Sequence, residues 1–135
     1  MKAKTITYWI TTAIVAFVMT ISGTLAAVHA PAMMKALAHL GYPAYFANII
    51  GIAKLAGVCI LLAPGYALVK EWTYAGFEVV VVSAIYSHVQ SGDGLLALDP
   101  LVVLAMLLTS YFTRPANRRL VITEHFWRAM ERNAR

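Results

Sequence analysis

The sequence predicts an all-α integral membrane protein: an up-down-up-down four-helix transmembrane bundle with an amphipathic C-terminal tail. Three observations predict it. Hydrophobic residues make up 61% of the 135-residue chain and charged residues 13%, against roughly 25% charged in a soluble domain. Four apolar runs, at about 8–28, 45–63, 72–89 and 99–112, are joined by short polar links. The basic residues gather at one set of span ends: Lys2 and Lys4, Lys70, then Arg114, Arg118 and Arg119. The opposite side carries Lys35 with Asp93 and Asp99. Cytoplasmic loops carry the Lys/Arg excess, so both termini are expected in the cytoplasm. The net charge of +5 then reads as an orientation signal rather than a nucleic-acid footprint. Residues 1–116 form the four-span domain and 117–135 the basic tail.

Span one, about 8–28, is read as a retained helix. A signal peptide is the competing reading, but this run exceeds the roughly 7–15 residues of a signal core, and Pro31 follows the one cleavage-like stretch. Gly23 and Ala27 form a small-xxx-small step that allows close helix approach. Met33, Met34, Leu37 and Leu40 recur at helical spacing, with Lys35 and His39 between them, so a short interfacial helix is expected there. Gly41-Tyr42-Pro43 is the turn that launches span two.

Span two, about 45–63, places Gly51 and Lys54 on one face, because three or four residues make one helical turn. Pro64-Gly65 stops it. Span three opens on Trp72 and Tyr74, an interfacial aromatic pair. Gln90 to Gly94 is a loop, and Asp99-Pro100 reads as an N-cap followed by proline at the first helical position. Arg114-Pro115 closes span four. In the tail, Ile122, Phe126 and Met130 recur near helical spacing beside Trp127 and several arginines, the pattern of a helix lying on anionic headgroups. The lone Cys59 builds no disulfide and no Cys-rich metal site within one chain. It reads as a small buried hydrophobe, and no metal is expected.

Two charges stand inside apolar runs, Lys54 and Glu78. Each is costly alone and tolerable when paired. At about 1.5 Å per residue, Lys54 lies about 13 Å and Glu78 about 9 Å above the cytoplasmic ends of their spans. An ion pair fixing the register of spans two and three is expected. Span four rises only about 20 Å, short of a hydrocarbon core near 30 Å. Asp99, His88, Asn48 and the Ser22–Thr24 stretch then reach one level. An outward-facing polar cavity lined by Asn48, His88, Asp93 and Asp99 is expected, with Thr20 and Thr24 on its wall and Lys54 and Glu78 beneath.

Ordered blocks from Leu40 to Pro115 carry a family resemblance. They are Leu40-Gly41-Tyr42-Pro43, Gly51-Ile52-Ala53-Lys54-Leu55-Ala56-Gly57 and Lys70-Glu71-Trp72-Thr73-Tyr74-Ala75-Gly76-Phe77, then Ser87-His88, Gly92-Asp93, Pro100-Leu101, Ser110-Tyr111 and Arg114-Pro115. The chain resembles the DoxX-like family of small four-span bacterial membrane proteins. That resemblance implies a multi-pass protein of the bacterial cytoplasmic (inner) membrane. It also implies a possible quinone-linked role beside a partner redox subunit, resting on Lys54, Glu78, His88 and Asp93. In that reading His88 and Asp99 exchange protons while Lys54 polarises a quinone carbonyl, which makes His88, Asp99 and Lys54 the catalytic candidates. The binding candidates are Asn48, Lys54, Glu78, His88 and Asp93. The leading expectation is a protein that is not an enzyme on its own and that binds a small amphipathic molecule or a membrane partner. A quinone-linked oxidoreductase subunit and a small transporter working as an oligomer are the alternatives. The expected partners are the lipid bilayer and either a homodimer mate or a redox subunit.

Overall fold

The computed structural model describes residues 2–120. They form five α-helices and no strand: α1 (Lys2–Ala27), α2 (Pro31–His39), α3 (Ala44–Leu62), α4 (Ala67–Gln90) and α5 (Leu98–Thr113), with a short 3-10 turn at Ala116–Arg118. The amphipathic helix expected in the tail falls outside the described residues beyond Leu120.

The breaks between helices follow from local chemistry. Pro31 opens α2, where its missing N–H is no loss. Three helices end in the same way, with the next two amides turned back onto the last turn, a motif that needs a left-handed residue just past the end. Gly41 (φ 83°) supplies it after α2 and Gly92 (φ 76°) after α4. After α1 the position is held by His29 (φ 53°), whose N–H bonds Ala26 O at 3.1 Å while Ala30 N–H bonds Leu25 O at 2.9 Å. Tyr66 (φ 54°) is also left-handed, just before α4. The ammonium of Lys70 folds back over that reversal and donates to Ala63 O and Gly65 O. Asp99 lies within the first turn of α5 rather than capping it; the cap position is Ala97.

α1 packs against α3 and α5, and α4 packs against both of them, so the four larger helices close a ring with α2 set against α1 and α3 at one end. Gly23 and Gly51 let α1 and α3 approach backbone to backbone: a Cβ on Gly51 would stand 2.7 Å from Ala27 N and 2.8 Å from Gly23 O. The core joins Val15, Met19, Val58, Leu61, Phe77 and Leu107. The outside is apolar as well. Ile10, Ile14 and Phe17 of α1, Ile52 of α3, Val79 of α4 and Val102 of α5 are all exposed. Soluble monomers rarely expose contiguous apolar surface on this scale; hydrocarbon accommodates it. Cys59, expected in the core, is on this outer face, where a small apolar side chain meets no penalty in lipid.

By length and apolar character, two helices are fit to cross a membrane, α1 and α3. The apolar helix α5 is shorter, and α4 is long but carries Lys70, Glu71 and Glu78.

Candidate functional site

A cavity of about 420 Å³ lies beneath α2. Met33, Leu37 and Leu40 roof it, Phe46 and Ile50 of α3 and Val79 of α4 wall it, and Lys54 supplies its charge. The partly buried ammonium of Lys54 donates to Ser22 Oγ at 3.1 Å, its sole acceptor among the described residues. An ammonium carries three donors, so two are left without a protein partner. An open groove between α3 and α4, also about 420 Å³, meets the cavity at Lys54 and Val80. Small residues keep this groove open. A Cβ on Gly76 would meet nothing within 4 Å, whereas one on Gly57 would run into the Phe77 ring at 2.6 Å.

The roof is tied down by one carboxylate. The left-handed turn at Gly92 brings Asp93 N–H back to His88 O at 2.9 Å, so the Asp93 side chain returns to the helix it has just left. It accepts from His88 Nδ1 at 3.1 Å and from His39 Nε2 at 2.8 Å. An ionised carboxylate only accepts, so each ring nitrogen facing it carries its proton. His39 is the last residue of α2, which buries none of its own residues. The bond from His88, with a further contribution from His39, holds the Asp93 carboxyl below the usual carboxylate range, against the opposing effect of partial burial. A depressed acid contributes while ionised, so this tie is in place above the ordinary carboxylate range and is lost as pH falls through the lowered value. Backbone amides of α2 should therefore lose exchange protection, corrected for intrinsic rates, on acidification. Asp93→Asn should show the same loss already at neutral pH. Unchanged α2 protection in that variant would mean that the apolar roof alone holds the helix. Nearby, Ser87 Oγ donates to Ser83 O at 2.8 Å, so the Tyr42 hydroxyl must be the donor in its 2.7 Å bond to Ser87.

The opposite end of the ring holds the other polar network. Arg114 Nη1 meets Glu71 Oε1 at 2.7 Å and Tyr111 OH donates to Glu71 Oε2 at 2.9 Å. The same guanidinium lies 4.0 Å from the centre of the Tyr111 ring. Arg118 reaches under the bundle to Leu61 O at 3.1 Å, Leu62 O at 3.3 Å and Tyr8 OH at 3.3 Å. Deeper in, Ser110 Oγ is bonded at 2.7 Å to both Thr12 Oγ1 and Tyr74 OH. These contacts fasten α1, α3, α4 and α5 together at their basic ends.

The residues singled out in the sequence are thus distributed differently from the expectation. Lys54 and Glu78 form no ion pair. Lys54 turns toward α1 and Ser22, while Glu78 is exposed in a separate groove between α4 and α5, beside Trp72 and Phe112. Depth along a helix fixes height but not direction: Lys54 leaves α3 toward α1, and Glu78 leaves α4 toward the α4–α5 groove. His88 and Asp93 do come together. Asn48 and Asp99 are exposed and make no hydrogen bond to that pair, and Thr20 and Thr24 are exposed, with Thr20 Oγ1 bonded to Ala16 O of its own helix. Ser22, of the Ser22–Thr24 stretch expected at cavity level, is the partner of Lys54, whereas the part played by His39 and the Glu71–Arg114 pair is not foreseen in the sequence; the one hint is His39 at the polar end of α2.

A helical ring with an apolar outer surface and its polar contacts turned inward is the mark of a membrane protein. Residues 10–110 match the DoxX-like family, and the chain belongs to that family. No curated protein and no solved structure shows significant similarity to it.

Proposed function

We propose that the chain is a four-span bundle, up-down-up-down with both termini cytoplasmic, that binds a small amphipathic molecule in the cavity beneath α2. The observation that carries this reading is the joining of an apolar chamber to a single ammonium with two uncommitted donors. Ligand sites are mostly apolar, with a few placed polar groups that fix orientation. The groove between α3 and α4 offers a way in from the bilayer. Span count and orientation are supported by the pairing of helix ends, since Lys70, Arg114 and Arg118 meet at one end of the ring and the polar α2 side lies at the other. The bacterial inner membrane is the setting that this family reading favours.

Native mass spectrometry of the protein extracted with its lipids tests the reading. The wild type should carry an amphipathic molecule that survives gentle activation. Leu37→Trp, which fills the cavity from the loosely packed α2, should lose it at unchanged thermal stability. Identical bound species in the two proteins would sink the proposal. A quinone among those species would point toward the redox-linked role.

A further inference from the structure

We infer that the cavity selects an anion: a single-chain amphiphile whose carboxylate head sits on Lys54. This rests on the reading above and adds the chemistry of the head group. Among the described residues, every carboxylate that could neutralise Lys54 is committed elsewhere or faces away. Asp93 is held by His39 and His88, Glu71 is held by Arg114 and Tyr111, and Glu78 lies in the α4–α5 groove. Asp99 is exposed at the start of α5. The ammonium is left with a neutral serine hydroxyl as its one protein partner. A charge drawn out of water calls for an opposite charge or a full set of hydrogen bonds, and the described residues supply neither to this partly buried ammonium.

The surroundings dictate the rest of the ligand. The cavity walls beyond Lys54 are mostly apolar, with Met33, Leu37, Leu40, Phe46 and Ile50; of the two lining hydroxyls Tyr42 is bonded to Ser87 and Ser83 is neutral, so no second charge is met there. Methionine and leucine on a helix without buried residues adapt to chain length. The groove wall is equally apolar, with Ala53, Ala56, Ile60, Gly76 and Val80. A hydrocarbon chain fits either compartment, and a carboxylate fits only where the two meet. A phosphate-headed lipid would bring a doubly anchored, larger head, and the cavity offers it no cation besides Lys54.

The experiment compares decanoate with decanol, equal in chain length and different in head, titrated into the protein in nanodiscs and read by displacement of a fluorescent fatty acid. The wild type should prefer decanoate about tenfold or more, the difference expected when a charged group gains its hydrogen bonds. Lys54→Gln should erase the preference, chiefly by weakening decanoate, while its thermal unfolding and size-exclusion profile report that the variant is folded. Ser22→Ala frees a third donor and should keep or raise the preference. Equal binding of the two probes by the wild type overturns the inference and leaves the cavity reading standing. A preference that survives in Lys54→Gln also overturns it. Failure of both probes to bind overturns the cavity reading and the inference with it.

Discussion

Gly51→Val is expected to prevent the bundle from assembling. Even the first added carbon would stand 2.7 Å from Ala27 N and 2.8 Å from Gly23 O. Both are backbone atoms of α1, so no side-chain rotation relieves the contact. Overpacking a tight site costs about 1–3 kcal/mol when neighbours can shift and more when they cannot. Here the whole of α1 must move, and with it the contact that seats Lys54 on Ser22 one turn away. The variant should express poorly and elute as aggregate in detergent. Gly76→Ala is the matched control. Its added methyl meets nothing, and alanine gains up to about 1 kcal/mol over glycine inside a helix. Thermal unfolding followed by size-exclusion recovery separates the two. Equal recovery of Gly51→Val and wild type would mean that the helices are not this close.

Arg114→Met should be nearly as damaging, for an electrostatic reason. Arg114 is 5% exposed and its partner Glu71 is 23% exposed. Removing one member of such a pair strands the other, at a cost of about 3–5 kcal/mol for a fully buried pair and toward the lower end here. The methionine keeps much of the aliphatic bulk beside Tyr74 and Tyr111 but loses the guanidinium that lies over their rings. Adding Glu71→Leu should return most of the lost stability, because the stranded carboxylate goes too. The melting temperatures of the wild type, the two single variants and the double variant form a cycle that measures the coupling. A double variant no better than Arg114→Met would show that the arginine acts through its rings and backbone contacts rather than through Glu71.

The helices were largely legible in the sequence because apolar runs, prolines and left-handed glycines are local signals. The short helix α2 was legible for the same reason, in the spacing of Met33, Leu37 and Leu40. The partners of the charged residues were not. Lys54 and Glu78 matched in depth, yet a helix turns about 100° per residue, and which way each side chain leaves its helix depends on packing that depth does not encode. The pairing of Asp93 with His88 required the chain to double back at Gly92, and the contribution of His39 required α2 to fold over that turn. Glu71 and Arg114 lie at span ends forty-three residues apart, where no local pattern marks them as partners, although they form the ring's one ion pair between a carboxylate and an arginine or lysine among the described residues. The cavity was expected as polar and is mainly apolar, since Asn48 and Asp99, two of its four expected lining residues, point outward.

Arg118 closes carbonyls at the end of α3 and touches Tyr8 near the start of α1, yet it follows the last of the five helices. A ribosome delivers the chain from its N-terminus. During synthesis the end of α3 therefore waits, its last carbonyls unmet, until more than fifty further residues have emerged and α4 and α5 are in place. This stitch is made by a residue that leaves the ribosome after all five helices. Until then the end of α3 relies on contacts made higher in the ring, and an incompletely translated chain lacks the clasp that joins Tyr8 to the end of α3.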